Sequence, residues 1–331
     1  MTMPLPSVKY MIYQPKFTIS NEILTLVSDI SLLVGRIRDD DMPIRDLKLR
    51  RENRIRSIHS SLAIEGNTLS LDKVTDIIDG KHVIGTAREI QEVKGAAAAY
   101  DMIDSLDPHS IDDLLKAHSA MTQDLVERPG AFRDCNVGVF KGPEAVHIAP
   151  EHEDVPRMID ELIEWSERTD QHPLIKSCVF HCRFEYIHPF VDGNGRMGRL
   201  WHSLILSRWN PVFVYLPVET GVRSNQRDYY AALNESDKSD MTEFIRFMLQ
   251  MIKMAMDEFV DEAEYSGRKN VSEKERTILN LILKDPKVTA ATIAEVMGVS
   301  SRTAKRYLSM LLEKGLISRM GSDKTGHWEV L

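Results

Sequence analysis

Apolar residues recur at helical spacing through most of the first 262 positions. Ile23, Leu24, Leu26, Val27, Ile30, Leu33 and Val34 predict a helix over 21–38. Leu47, Leu49, Ile55, Ile58, Leu62 and Ile64 predict another over 44–65, which Gly66 stops. Shorter patterns predict helices over 71–79, ending at Gly80, and over 87–106, where the alanine run 96–99 suits close packing. The same reading gives helices over 111–127, 155–168, 174–186, 197–209, 224–234 and 241–262. One stretch breaks the rule. In 132–150 two β-prone runs, Val137, Val139 and Phe140 and then Val146 and Ile148, flank Lys141-Gly142-Pro143 and predict a hairpin. A lone hairpin is only marginally stable, so it must lie on the helical body, either as a connecting loop or as a flap that pairs with an extended peptide. Beyond residue 272 the pattern shortens: helices over 273–284, 289–297 and 300–314, then β-prone runs over 316–320 and 327–331 around a Gly321–Gly326 turn.

Charge divides the chain in the same place. Residues 271–331 hold ten Lys/Arg and seven Asp/Glu, a net +3, so the chain's −8 leaves −11 on residues 1–270. The polar stretch 262–270 loses apolar periodicity and is the expected boundary. With 331 residues, 43% of them apolar, two or three ordinary globular domains are expected, and a largely disordered chain is excluded. No apolar run approaches the roughly 18 residues a membrane span needs, and the first ten residues lack the pattern of a signal peptide. Three cysteines, Cys135, Cys178 and Cys182, fit a reducing cytoplasm better than a disulfide framework.

The densest chemistry is at 188–199, HPFVDGNGRMGR. Pro189 ends any helix before it. Gly193, Asn194 and Gly195 form a turn into an apolar-periodic helix, and such a turn offers backbone N–H groups and a positive dipole end to an anion. Arg196 and Arg199, one helical turn apart, suggest a di- or triphosphate rather than a lone carboxylate. Asp192 would repel a bare phosphate but suits Mg²⁺ held between carboxylate and phosphate oxygens. His188 has the intrinsic basicity to take a proton from a hydroxyl near neutral pH. The Gly-Lys-Ser/Thr element of a P-loop is absent from this stretch. These residues together specify transfer from a nucleotide to a hydroxyl. Farther back, Glu65 sits in the last turn of its helix, where the dipole disfavours a negative charge unless a cation is near.

The 188–199 segment resembles the signature of the Fic family at every specified position. The resemblance continues in Phe180 to Glu185 (FHCRFE), Pro129 to Arg133 (PGAFR) and Tyr229 to Leu233 (YYAAL), and covers most of residues 50–255. It implies a mostly α protein: an all-helical Fic body with a β-hairpin flap. It implies AMPylation, the transfer of AMP from ATP to a Ser, Thr or Tyr hydroxyl of a protein, the protein itself included. It makes His188 the base, Asp192 the Mg²⁺ ligand, and Gly193, Asn194 and Gly195 the anion hole. Arg196 and Arg199 become the holders of the β- and γ-phosphates, and Phe190 an anchor of the loop. The hairpin side chains Val137, Val139, Phe140, Val146 and Ile148 become a target-docking flap, and Tyr229 or Tyr230 a wall of the adenine pocket. Ser61, Glu65 and Gly66 match the family's inhibitory helix, whose glutamate pairs with the last signature arginine, here Arg199. The expected organisation is an N-terminal helical region 1–110 with the inhibitory helix at about 50–66, a catalytic core 111–262, a linker 263–271 and a domain 272–331.

That last domain resembles a winged helix-turn-helix. Arg302, Lys305 and Arg306 lie near the start of its third helix, where a recognition helix meets the major groove of double-stranded DNA. Such domains also serve as protein-interaction modules, and the resemblance leaves a homodimer open. Two function classes therefore stand side by side: a regulated AMP-transfer enzyme, and a DNA-binding regulator whose Fic body senses nucleotide. Removal of AMP is a further option for the same site.

Overall fold

The structure, a computed structural model, describes residues 13–37, 47–141, 144–237, 240–269, 273–321 and 326–330. It divides into two compact units, Met1–Val260 and Asp261–Leu331.

The first unit is helical. Its N-terminal helices are α1 (Asn21–Arg36), α2 (Leu47–Ile64), α3 (Leu71–Ile78), α4 (Ala87–Asp101) and α5 (Ile111–Thr122). Side-chain caps fix several starts: Ser20 accepts from the Ile23 N–H, Ser70 from Lys73 and Ser110 from Asp113, while Thr86 and Glu89 form a reciprocal capping box. A hairpin follows, β1 (Gly138–Lys141) and β2 (Glu144–Ile148), antiparallel, with a register shift between Val139 and Phe140. Then come α6 (Val155–Arg168), α7 (Pro173–Ile187), α8 (Asn194–Trp209), α9 (Val218–Ser224), α10 (Gln226–Ser236) and α11 (Thr242–Lys269). The expected hairpin is present, although its Gly142-Pro143 turn and the side chains of 139–147 lie outside the described residues.

The sequence places most of these helices, and the differences are physical. Residue 124, with φ at 61°, lies just beyond α5, which stops at Thr122 rather than 127. The helix expected over 224–234 is α10, which begins two residues later because the chain breaks at Asn225, and the short α9, ending at Ser224, precedes it. The helix expected from Met197 begins at Asn194, because Gly193, with φ at 87°, takes the whole turn by itself. The linker expected over 263–271 is helical through Lys269 as part of α11. The two regions read as 1–110 and 111–262 share one apolar core, which runs from Ile23 through Phe180 to Phe259.

Helices α7 and α8 occupy the centre of that core, buried on nearly every side. Cys178 and Cys182 lie within it, the Cys182 thiol donating to the Ser236 hydroxyl at 2.9 Å. Helix α2 differs in kind. Beside apolar Ile55, Ile58 and Leu62 it buries Asn53, Ser57, Ser60 and Ser61, so it meets the body through polar groups as well as through carbon.

The second unit holds α12 (Glu273–Lys284), α13 (Ala290–Met297), α14 (Ser301–Glu313) and an antiparallel hairpin of β3 (Ile317–Met320) and β4 (His327–Val330). Thr289 and Ser300 cap α13 and α14 as their sequence positions suggest. Ile278, Ile282, Ile293, Leu308, Leu311 and Ile317 form its own core. It is a winged helix-turn-helix. Among the described residues no helix is long and apolar enough to cross a membrane.

Candidate active site

The loop between α7 and α8 is built from its backbone outward. His188 ends α7 in the left-handed region, φ 49° and ψ 60°, a conformation that costs a non-glycine residue about 1 kcal/mol or more and needs surroundings that impose it. Three buried side chains do so. Asn194 folds back on Phe190, accepting from its N–H and donating to its carbonyl, both at 2.8 Å. Arg133 donates to the carbonyls of His188 and Cys135 at 2.9 Å, and also to Pro150, clamping the loop against the foot of the hairpin. His118 stacks on Phe190 with ring centroids 3.6 Å apart. Gly130 donates its N–H to Nδ1 of His118, so Nε2 carries the proton and donates to the Asp192 carbonyl at 3.0 Å. Burial lowers the pKa of His118 to about 4, which keeps this tautomer neutral.

His188 itself is half-buried, with Nδ1 3.3 Å from the Glu185 carbonyl. A proton held there leaves the lone pair on Nε2.

Beyond His188 the charges converge. Asp192 Oδ1 accepts from its neighbour Gly193 N–H at 2.6 Å and from Arg196 Nη2 at 2.9 Å, and Oδ2 accepts from Arg88 Nη2 at 2.7 Å. Partial burial works against the Asp192 charge, but Arg196, the Gly193 N–H and Arg88 outweigh it and lower the pKa. Arg196 is 3% exposed, and its Nε and Nη1 are buried with no hydrogen-bond partner among the described residues. Buried guanidinium donors left without an acceptor are costly, and an anionic ligand would satisfy them. The first N–H groups of α8 have no acceptor within the helix and point the same dipole end at this spot.

Arg199, 2% exposed, turns to α2. Nη2 donates to Glu65 Oε1 at 2.7 Å and to the Ser61 carbonyl at 3.0 Å, and Nε donates to the Ser61 hydroxyl at 3.0 Å. Burial opposes the Arg199 charge, but Glu65 and further groups raise its pKa well above the usual value. The cation that the position of Glu65 demanded is therefore Arg199. The end of α2 is held from α10 as well: Gln226 Nε2 donates to the Ile64 carbonyl at 2.8 Å, and the Tyr230 hydroxyl donates to it at 3.4 Å.

The tyrosine pair separates. Tyr229 is 1% exposed, its hydroxyl 3.1 Å from His181 Nε2 and its ring packed near Phe244 and Phe247. It is a core residue with no face open to a base, which corrects its expected place in an adenine pocket. Tyr230 is 42% exposed and stays at the surface. On the hairpin, Val137 is half-buried and Ile148 is 75% exposed, while the side chains of Val139, Phe140 and Val146 lie outside the described residues. In the second unit, Arg302, Lys305 and Arg306 are all exposed on α14, opposite inward-facing Ala304 and Leu308.

The profile of the Fic/DOC family matches residues 108–206, and a winged helix-turn-helix DNA-binding profile matches 271–318. The crystal structure of a Fic family protein from Desulfovibrio desulfuricans G20 is 40% identical and superposes with a TM-score of 0.72, covering 96% of this chain and 98% of that one. The chain belongs to the Fic family. Protein adenylyltransferase fic-1 of Caenorhabditis briggsae is 31% identical over 255 residues, 73% of this chain and 48% of the relative. The Caenorhabditis elegans protein of the same name is 30% identical over 66% of this chain and 44% of the relative. The chain thus spans about half the length of the curated relatives it matches. A solved C. elegans Fic-1 fragment, 23% identical with a TM-score of 0.60, shares the fold.

Set against the Fic signature, sequence reading missed three residues of the site: Arg88, Glu92 and His118. Arg88 and Glu92 are a helical i,i+4 pair on α4 that reads as an ordinary surface bridge. His118 sits on the apolar face of α5, where a core histidine is the default reading. Arg133 lay within a motif the sequence singled out, but its hold on four carbonyls had no sequence signal.

Proposed function

We propose that this chain is a protein adenylyltransferase, moving AMP from ATP to a hydroxyl side chain of a protein. The observation that carries the reading is the buried Arg196 guanidinium, whose Nε and Nη1 lack acceptors at the start of α8. A triphosphate supplies the acceptors that Arg196 lacks and a partner for the helix N-terminus.

In this reading Arg196 and Arg199 hold the β- and γ-phosphates, and the N–H groups of Asn194 and Gly195 receive charge on the phosphates. His188 Nε2 accepts the proton of the target hydroxyl as its oxygen bonds to the α-phosphorus. The bond from that phosphorus to the bridging oxygen breaks, and pyrophosphate leaves. Mg²⁺ suits Asp192, a hard oxygen ligand. Held there, it would neutralise charge on the departing pyrophosphate. Glu65 occupies Arg199 and so opposes γ-phosphate binding, an autoinhibited ground state. In the same reading the hairpin is the edge that aligns the target segment.

The second unit favours an added reading, contact with duplex DNA, because Arg302, Lys305 and Arg306 stand together on the exposed face of α14.

The test is incubation of the full chain with α-labelled ATP and Mg²⁺, alone and with a cell lysate, beside His188→Ala. Covalent label in the wild type that disappears in His188→Ala, while ATP still binds, is the expected result. ATP binding without any label, in the wild type and in Glu65→Gly alike, overturns the transferase reading in favour of a nucleotide sensor.

A further inference from the structure

Asp192 carries two arginines, and they are not equivalent. The Arg196 side chain is 3% exposed, so it cannot leave its carboxylate without stranding a buried charge. The Arg88 side chain is 61% exposed and reaches Asp192 across 104 residues of sequence, so it can leave into water at little cost. A divalent cation arriving at Asp192 meets positive charge on both oxygens, and Arg88 is the one able to yield.

What Arg88 does next is set by α4. Its Nε already donates to Glu92 Oε1 at 3.2 Å. Glu92 Oε2 in turn accepts from Asn67 Nδ2 at 2.9 Å. Asn67 is 7% exposed and lies two residues after Glu65. The next residue is tied to the same helix: Thr68 donates from N and Oγ1 to Glu89 Oε1, at 3.0 and 2.6 Å. A continuous polar path therefore joins the carboxylate of Asp192 to the segment that follows Glu65, through Arg88, Glu92 and Asn67. An ordinary surface bridge between Arg88 and Glu92 would have neither end fixed. Here both ends are fixed, one on the signature loop and one on the inhibitory segment.

We infer that Arg88 is a positioning residue that stands in for the metal at Asp192 and couples its arrival to loosening of the segment after Glu65. The inference rests on the reading of Asp192 as the Mg²⁺ ligand. When Arg88 gives up Asp192, both arms of its guanidinium become available to Glu92. The Glu92 carboxylate then turns toward Arg88, and Asn67 loses that acceptor. The end of α2 keeps fewer ties, and Glu65 leaves Arg199 more readily. Linkage makes the effect reciprocal: a seated Glu65 holds Asn67, Glu92 and Arg88 in place and so disfavours the metal. One hydrogen bond of this kind corresponds to a shift of about three- to tenfold in the opening equilibrium.

Hydrogen–deuterium exchange on the full chain tests this without reading activity. The states are protein alone, with ATP and EDTA, and with ATP and Mg²⁺. Two segments are followed: 188–200 reports nucleotide binding, and 62–69 reports the inhibitory segment. In the wild type, Mg²⁺ should raise exchange over 62–69 by about three- to tenfold beyond ATP alone. In Arg88→Gln, which has no charge to displace, and in Glu92→Gln, which weakens the link to Asn67, exchange over 62–69 should no longer respond to Mg²⁺. Both variants should keep ATP protection over 188–200. An equal Mg²⁺ response over 62–69 in all three proteins, with 188–200 protected, overturns the coupling alone. No ATP protection over 188–200 in the wild type overturns the nucleotide reading, and the coupling with it.

Discussion

Glu65 reaches its place only because residue 195 is glycine. A Cβ built on Gly195 would overlap Oε1 of Glu65 and lie 3.1 Å from Nη1 of Arg199. The glycine in the first turn of α8 thus makes room for the carboxylate at the end of α2. Gly195→Ala should destabilise the wild-type protein by about 1 kcal/mol, since the added methyl must push the Glu65 side chain off Arg199. In a Glu65→Gly background the same change should be neutral or stabilising, because the obstacle is gone and alanine favours the helix. A thermal-denaturation cycle over the four proteins reads the difference, and equal effects in both backgrounds would show that the contact does not constrain the site.

Glu65→Gly should raise AMP transfer strongly. Arg199 is held on Glu65 at 2.7 Å; if Arg199 is the γ-phosphate holder proposed above, ATP could then sit only with its α-phosphate displaced. Misplacement by about 1 Å can cost on the order of 100-fold in rate. Self-labelling or target labelling should therefore rise by about one to two orders of magnitude. Glu65→Gly combined with Arg199→Ala should not regain that rate. Unchanged labelling in the single variant, at saturating ATP, would remove the autoinhibition while leaving the His188 chemistry standing.

The parts of the site that were legible in sequence are those whose residue types answer a local chemical need. His188, Asp192 and the arginines follow one another within twelve positions, and Glu65 announced a missing cation by sitting against its own helix dipole. What holds them was not legible, because it acts across the fold through groups that carry no signature. Arg133 grips backbone carbonyls, which any residue supplies. His118 is neutral, stacked on Phe190 and bonded at both nitrogens, and in sequence it is one more histidine on a helix. Arg88 and Glu92 look like a solvent-facing pair until the fold places Asp192 and Asn67 at their ends. The helix pattern was read well where the apolar spacing is regular. The role of Tyr229 was not legible, because its place on a helix does not reveal that a ring suited to a base turns inward.

Acid should weaken the helical unit through its buried histidines. Burial lowers the pKa of His181 and His202 to about 3 in each case. The neutral form is thus favoured in the folded chain, while in the unfolded chain each titrates near 6.5. A group depressed in this way contributes stability in full above about pH 6.5, and loses it progressively as the pH falls toward 3. Between pH 7.5 and 5.5 the two should cost about 1.4 kcal/mol each, a window in which carboxylates barely titrate. Denaturant unfolding at the two pH values measures the loss. His202→Leu should remove its own share of about 1.4 kcal/mol from a loss to which buried His118, lowered to about 4, contributes as well, and a pH-independent stability over this window would show that these histidines can be protonated without unfolding.

The winged helix-turn-helix invites a test of its own. Its core is complete without the helical unit, since Ile278, Ile293, Leu308 and Ile317 bury one another. Deleting 271–331 should therefore leave a folded body that still labels itself, and any duplex binding should leave with the deleted residues. In the full chain, Arg302, Lys305 and Arg306 are exposed on α14, with Arg306 5.8 Å over the Tyr307 ring. If they meet phosphates, each change to alanine should weaken duplex binding across unrelated sequences and reduce the slope of log affinity against log salt by about one. If one of them reads a base edge, its loss should instead cost about 1–3 kcal/mol on a preferred sequence and little elsewhere. Titration of labelled duplexes at several salt concentrations separates these outcomes. Binding that survives the triple change with its salt slope intact would take DNA contact away from this face of α14.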